Sequence, residues 1–258
     1  MFTIMVFIAA ASLAGGMIGL MYVGRWLAAR RAARDPVRME GGAAGIDGAV
    51  LGLLGLLVAF TFSGAAGRFD VRRQQVIDET NAIGTAYLRI AMLPPAARAA
   101  LQQQVRTYVD SRIATYRQLP DIDAALAEWS RSKQLQQEIW ASAVDATTMA
   151  GAHLGAPMVV LPALNQMFDI AATRIAMTQL HPPAVVFVLL FVISLLSALL
   201  SGDALSRRTS ISRVHVIGFA MIVAAAVFVI IDLEFPRLGL FQERDFDRLL
   251  VAVRADMK

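Results

Sequence analysis

The side chains best suited to chemistry form a polar row in the second half of the chain. Asn165, Asp169 and Thr173 are spaced at i, i+4 and i+8, so on a helix they share one face. A carboxylate in such a row can bind a cation, or it can pair with an arginine of a neighbouring helix, which is the usual state of a partly buried acid. The arginines available to Asp169 are Arg72, Arg73 and Arg89. The row therefore indicates a structural ion pair more than a catalytic acid.

A second polar group lies on the segment 67–90, GRFDVRRQQVIDETNAIGTAYLRI. One side of the predicted helix carries a polar stripe, which consists of Gln74, Asp78, Asn81, Thr85 and Arg89. We predict that Glu79 and Asn81 tie this segment to the helix that carries Arg174. The full predicted network consists of Asp78, Glu79, Asn81, Asn165, Asp169 and Arg174.

The chain has no recognisable catalytic or metal-binding motif. The three histidines, His153, His181 and His215, lack the spacing of metal ligands. No nucleophile elbow, P-loop, HExxH or dinucleotide-binding pattern occurs. The sequence contains no cysteine, which excludes thiolate sites and disulfides. We therefore predict neither an enzyme nor a bound metal or cofactor.

Residues suited to ion passage directly precede the segment 67–90. The pore and gate candidates are Phe60, Thr61, Phe62 and Ser63. Aromatic rings on a pore helix can form a constriction that closes by dewetting. The alternative is that the two phenylalanines only pack or face lipid. Beyond them, Arg68, Arg72 and Arg73 would form a cationic vestibule that concentrates anions near the entrance.

The same apolar run carries small residues at steps of three and four. They are Gly45, Gly48, Gly52, Gly55 and Ala59. Such a face lets helix backbones approach closely, because packing rather than hydrophobicity drives helix association within a bilayer. We interpret it first as a helix-packing face and second as a narrow face that lines a conduit.

The elements that must carry these residues are membrane helices. Of the 258 residues, 57% are hydrophobic and 17% are charged, which is typical of integral membrane proteins. Four apolar runs, 1–24, 43–66, 184–201 and 214–231, have the roughly 17 to 25 residues that cross a bilayer core as a helix. No ionisable residue lies in the middle of a run, which argues against a proton relay or a voltage sensor. The sequence predicts an all-α integral membrane protein with four transmembrane helices.

An insertion, residues 67–183, separates the second run from the third. It has few strand-like alternations, and its prolines at 94–95, 120 and 182–183 divide it into helices. Phe69, Val76, Ile83 and Ile90 recur every seven residues and form an apolar seam that needs a partner helix. That partner is either the segment 157–180 or a second copy of the chain. We therefore predict a first transmembrane hairpin (1–66), a helical extramembrane domain (67–183), a second hairpin (184–234) and a C-terminal tail (235–258) with a short amphipathic helix.

Arginines near the apolar runs indicate the orientation. The two connections within the hairpins contain Arg25, Arg30, Arg31, Arg34 and Arg38, and Arg207, Arg208 and Arg213. By the positive-inside rule both connections face the cytoplasm, so both termini and the helical domain lie outside it in a multi-pass protein of the inner (plasma) membrane. The pI near 9.9 reflects this topology, and no basic patch with interleaved aromatics indicates nucleic-acid binding.

Three blocks of the sequence resemble the bestrophin-like membrane protein family: LGLLVAFTFSGAAGRFDVRRQQVIDETNAIGTAYLRIAMLP, LPALNQMFDIAATRIAMTQLHPP and IDLEFPRLGL. Through a more distant likeness to the pentameric bestrophin anion channels, the resemblance implies a homo-oligomeric, anion-conducting channel with the second transmembrane helix and its extension around the axis. Phe60 and Phe62 lie where the apolar neck of those channels would be expected. The partners would be the lipid bilayer, further copies of the chain and inorganic ions. The alternative is a non-conducting membrane sensor or scaffold whose helical domain binds a partner.

Overall fold

The computed structural model describes residues 2–34, 44–119, 121–205, 213–240 and 244–258, and the regular structure in these ranges is helical. The ranges contain the α-helices α1 (Phe2–Arg34), α2 (Ala44–Arg89), α3 (Pro95–Gln118), α4 (Ile122–Thr148), α5 (Ala156–Gln179), α6 (Ala184–Leu205), α7 (Arg213–Glu234) and α8 (Arg244–Asp256). A short 3-10 helix, Ile90–Met92, follows α2. The predicted all-α class is confirmed.

Four of the described helical stretches are long and apolar enough to cross a membrane, which confirms the predicted multi-pass membrane protein. The four apolar runs of the sequence lie in α1, α2, α6 and α7. With 46 residues, α2 is about 70 Å long at about 1.5 Å per residue. That is more than twice the roughly 30 Å of a bilayer's hydrocarbon core. A bilayer can therefore enclose only part of α2, and its apolar first half is the part suited to that environment.

Helix boundaries follow from local chemistry. Pro95 is in the first turn of α3, where a missing N–H donor is tolerated. The Asp121 carboxylate accepts a hydrogen bond from the Ala124 N–H at 3.0 Å and so caps the start of α4. Gly151, with a φ of 86°, makes the turn between α4 and α5, because glycine adopts this conformation without strain. Pro120, predicted to separate two helices, lies outside the described residues.

The chain folds as two compact units. The membrane unit comprises Met1–Phe69 and His181–Phe241, and the helical unit comprises Asp70–Leu180 and Gln242–Lys258. Helix α2 contributes its apolar half to the first and its polar half to the second. The predicted C-terminal tail, 235–258, is divided between them, because the residues after α7 belong to the membrane unit and α8 belongs to the helical unit.

Two glycines set the distance between α1 and α6 in the membrane unit. A Cβ added at Gly24 would lie 2.1 Å from the carbonyl oxygen of Leu199, and one added at Gly202 would lie 2.1 Å from that of Met21. Backbones this close leave no room for any side chain. The close packing of α1 on α6 therefore depends on glycine at both positions.

The core of the helical unit is built around the polar half of α2. Val76, Ile83 and Ile90 are fully buried in a cluster with apolar side chains of α3, α5 and α8. The sequence predicts that this seam packs on the segment 157–180 or on a second copy of the chain. These three of its residues pack against helices of their own chain. Leu250 of α8 is also fully buried in this cluster, so α8 completes the core.

Candidate functional site

The apolar half of α2 packs little against its own chain. Gly48, Gly52 and Gly55 are exposed, and a Cβ added to any of them would meet no atom within 4 Å. Ala59 is exposed as well. Gly45 lies outside the residues whose side-chain surroundings the structure describes. The predicted packing face is therefore open to lipid or to another chain, while the close contacts inside the chain use the glycines of α1 and α6.

The two phenylalanines among the pore and gate candidates lie on different sides of α2. Residues of an α-helix follow one another at about 100°, so Phe60 and Phe62 point about 160° apart. Phe60 and Thr61 line a cavity in the membrane unit. Phe60 is nevertheless 68% exposed, more than Phe62 at 44%, and Ser63 is exposed as well. The hydroxyl of Thr61 donates to the Leu57 carbonyl of its own helix at 2.7 Å. Phe62 and Ser63 flank the exposed small-residue face of α2.

The cavity of the membrane unit, of about 220 Å³, opens between α2, α6 and α7. Its walls are mostly apolar, with Pro182, Val186, Phe187 and Ile230 beside Phe60. Arg68 is the charged residue among those that line it. An apolar cleft with one cationic group suits a ligand with an apolar body and a polar end.

Arg68 also forms an ion pair with Glu234 at the end of α7. Its Nε lies 3.1 and 2.8 Å from the two carboxylate oxygens, and its Nη2 lies 2.7 Å from Oε2. Glu234 is fully buried, and one of its oxygens lies 3.3 Å from Nδ1 of His181. The His181 ring stacks on Phe235 with the ring centroids 4.5 Å apart. Arg68 therefore acts as the charged partner that makes a buried carboxylate tolerable.

Arg72 and Arg73, in the helical unit, also bind groups of their own chain. Arg72 is 7% exposed and donates to the carbonyls of Met177 and Leu180, at 3.4 and 2.9 Å. These carbonyls lie at the C-terminal end of α5, where a cation complements the helix dipole. Nη1 of Arg73 lies 3.6 Å from Asp70. Both side chains are thus held against their own chain, and Asp70 offsets part of the charge of Arg73.

A buried ion network occupies the centre of the helical unit. Glu79 is fully buried and accepts hydrogen bonds from Arg112 Nε and Arg174 Nη1, each at 2.7 Å. Arg174 also donates to Asp247 of α8. The guanidinium carbons of Arg112 and Arg174 lie 4.9 and 3.6 Å from the ring centroid of Tyr116. The structure brings the predicted Glu79 and Arg174 together and adds Arg112, Tyr116 and Asp247.

The charges of this network hold one another in the ionised state. Burial alone would raise the pKa of the Glu79 carboxyl, but the charges and hydrogen bonds of Arg112 and Arg174 outweigh it and keep that pKa below its usual value. Burial likewise opposes the charge of Arg112, yet the adjacent Glu79 raises the pKa of its guanidinium. Because each charge depends on its neighbours, the network ties α2, α3, α5 and α8 into one body.

The remaining members of the predicted network lie at or near the surface. Asn81 is exposed. Asp78 accepts a hydrogen bond at 3.0 Å from the glutamine one turn earlier, and Asp169 accepts one at 2.8 Å from Asn165. The expected pairing of Asp169 with an arginine is not seen among the described residues. Its carboxylate is bound by an amide of its own helix instead.

Sequence reasoning missed Arg112, Tyr116 and Asp247, because they come from helices that meet α2 only in the folded chain. One signal was present in α3. Arg112 follows Tyr108 by four residues and precedes Tyr116 by four, so it stands on a face that is otherwise apolar and aromatic. A charge at a core position indicates a buried partner.

The block IDLEFPRLGL forms the turn that ends α7. Asp232 is fully buried, and its two oxygens accept from the Leu240 N–H at 2.8 and 3.0 Å. A Cβ at Gly239 would lie 2.3 Å from Oδ1 of Asp232, so a side chain there would displace this buried carboxylate. Thr3 of α1 donates to the Leu238 carbonyl at 3.0 Å. The block therefore fastens the end of α7 to the start of α1.

In the part of the chain that the structure describes, no three histidine or carboxylate side chains lie close enough together to hold a metal ion. The buried carboxylates are occupied by arginines or backbone donors. What these arrangements can do is fix helices relative to one another within each unit.

Comparison with protein families gives a match to the Bestrophin-like domain over residues 7–242. The match covers most of the chain, from the first turns of α1 to the residues before α8. Comparison with curated proteins and with solved structures gives no match.

Proposed function

This chain belongs to the bestrophin-like family, and we propose that it assembles into a homo-oligomeric ion channel with α2 around the central axis. At the family level it is a channel-like membrane protein. The observation that carries the axial role of α2 is its exposed face of glycine and alanine within a transmembrane stretch. Such a face allows the helices of several copies to approach closely.

The constriction of this channel would lie at Phe62 and Ser63. Both are exposed beside the small-residue face, near the end of the apolar half of α2. An apolar ring around a narrow axis closes by dewetting and opens when it widens or becomes polar. Phe60, which lies about 160° around α2 from Phe62, lines the cavity of the membrane unit and is not part of the proposed constriction.

The conducted ion that we propose is an inorganic anion. The net charge of +4 and the family resemblance support this choice. Arg68, Arg72 and Arg73 support it less than the sequence suggests, because each of them binds a group of its own chain.

For the orientation we propose cytoplasmic connections within both hairpins of a plasma-membrane protein, with the termini and the helical unit outside. Arg31 near the end of α1 pairs with Asp203 near the end of α6 at 3.1 Å, so the two arginine-rich connections leave the membrane unit on the same side. A membrane-impermeant maleimide should label Ser130→Cys in intact cells but label Ala33→Cys only after lysis. The reverse pattern would invert the orientation.

Disulfide cross-linking tests the axial role of α2. Because the chain contains no cysteine, each introduced cysteine is the only one present. Oxidation in native membranes should link copies that carry Gly55→Cys or Ala59→Cys, since a disulfide requires Cα atoms within about 7 Å. Val188→Cys on α6, where the native side chain is 59% exposed, is the matched control. Linking only at Val188→Cys would place a different helix at the interface.

A second candidate function is a non-conducting sensor or scaffold. In the helical unit the apolar side chains of Leu154, Met158 and Leu88 are 99%, 81% and 74% exposed. A partner that covered these side chains would remove apolar surface from water, which favours binding. An assembled protein that passes no ion would favour this function over the channel.

A further inference from the structure

We propose that the cavity between α2, α6 and α7 binds a phospholipid, with a segment of acyl chain against its apolar walls and the headgroup phosphate on Arg68. This site lies within the membrane unit, and its occupation does not depend on whether the protein conducts ions.

The cavity lies where three apolar runs end. Phe60 and Gly64 are near the end of the second run, Val186 and Phe187 are near the start of the third, and Ile230 is near the end of the fourth. All three helices therefore reach the boundary between hydrocarbon and water at the cavity. That boundary is the depth at which phospholipid headgroups join their acyl chains.

The walls suit an acyl chain. The cavity measures about 220 Å³ and is open on one side, and its lining is apolar apart from Thr61 and Arg68. The Thr61 hydroxyl is already bonded to the carbonyls of Leu57 and Val58, at 2.7 and 3.1 Å. An empty apolar cleft loses dispersion contacts, and in a membrane the molecules available to restore them are lipids.

Arg68 supplies the donor for the phosphate. Its Nε and Nη2 are engaged with Glu234, which leaves the N–H groups of Nη1 for another acceptor. A Cβ added at Gly64 would lie 3.2 Å from Nη1, so this nitrogen sits beside a residue that lines the cavity. Because Glu234 balances the charge of Arg68, a phosphate is recognised by a hydrogen bond from a charged donor rather than by net charge.

Two lipids with the same acyl chains separate these contributions. Delipidated protein in mild detergent is titrated with dioleoylphosphatidylglycerol or with dioleoylglycerol, which lacks the phosphate, and bound lipid is counted by native mass spectrometry. The wild type should bind one more phospholipid molecule per chain than Val186→Trp, because the tryptophan ring fills the cavity. Val185→Trp is the matched control, because the neighbouring Val185 is 67% exposed. At this site dioleoylglycerol should bind about tenfold more weakly, as expected for the loss of one charged hydrogen bond.

A second pair of variants tests the Arg68 contact without filling the cavity. Gly64→Ala places a methyl group against Nη1, whereas at Gly67 the added Cβ meets no atom within 4 Å. Gly64→Ala should lose the preference for the phospholipid over dioleoylglycerol, and Gly67→Ala should keep it. The proposal is overturned if Val186→Trp and Val185→Trp bind the phospholipid equally, or if the wild type binds both lipids equally.

Discussion

Alanine at Gly24 should destabilise the membrane unit, although alanine normally favours a helix. The new Cβ would lie 2.1 Å from the Leu199 carbonyl oxygen, whereas a carbon and a carbonyl oxygen in contact are about 3.3 Å apart. Helices α1 and α6 must therefore separate by about 1 Å. A gap of that size forfeits roughly a quarter to a half of each dispersion contact across the interface.

We expect the overpacking to cost about 2 to 3 kcal/mol, against a gain of about 0.5 to 1 kcal/mol from removing a glycine from a helix. The net loss of about 2 kcal/mol corresponds to a transition temperature lower by about 5 °C. The assay is thermal unfolding of the purified protein in mild detergent, followed by the loss of the monodisperse peak in gel filtration. Gly202→Ala should behave in the same way, because its Cβ would meet the Met21 carbonyl.

Gly15→Ala and Gly19→Ala are the matched controls on α1, since a Cβ added at either position meets nothing within 4 Å. Both should leave the transition temperature unchanged or slightly raised. If Gly24→Ala melts with the controls, the close backbone contact between α1 and α6 does not exist in the protein.

Three further predictions concern the ion network. Glu79→Gln should destabilise the helical unit by about 3 to 5 kcal/mol in urea unfolding, because two buried guanidinium groups lose the carboxylate that they share. Asp78→Asn near the surface should change the stability little, and equal effects of the two variants would refute the buried network. The double variant Glu79→Arg/Arg174→Glu should remain less stable to urea than the wild type, because the new arginine would face Arg112. Recovery of the wild-type urea midpoint would show that Glu79 binds Arg174 alone. The fold lowers the pKa of Glu79 from its usual 4.5, so the ionised carboxylate contributes its full stabilisation above pH 4.5 and loses it as the pH falls through the folded pKa. The urea midpoints of wild type and Glu79→Gln should therefore converge in acid. A gap that stays constant with pH would contradict the lowered pKa.

The membrane helices and their number could be predicted from the sequence because a bilayer-spanning helix is a local pattern. Twenty apolar residues must satisfy their backbone bonds internally, whatever the rest of the chain does. The continuity of α2 is likewise visible in the sequence, since no proline interrupts 67–90 and the seven-residue spacing of Val76, Ile83 and Ile90 fits a helix.

Contacts between distant segments could not be predicted in the same way. Gly24 and Gly55 belong to similar apolar helices, but only Gly24 has a backbone oxygen against it, and nothing local to either residue distinguishes them. Arg112 binds Glu79 because α3 packs on α2, which is a property of the folded unit. Phe60 and Phe62 look equivalent as apolar side chains, yet helix geometry places them on different sides of α2.

The channel itself is tested most directly by ion flux into liposomes that hold the purified oligomer, under separate chloride and potassium gradients. Phe62→Ala is compared with wild type, and Phe7→Ala, which removes an exposed phenylalanine of α1, is the matched control. We expect chloride flux that exceeds potassium flux, rises in Phe62→Ala and is unchanged in Phe7→Ala. The absence of flux from all three proteins, with insertion and assembly verified, would contradict the channel and leave the sensor or scaffold.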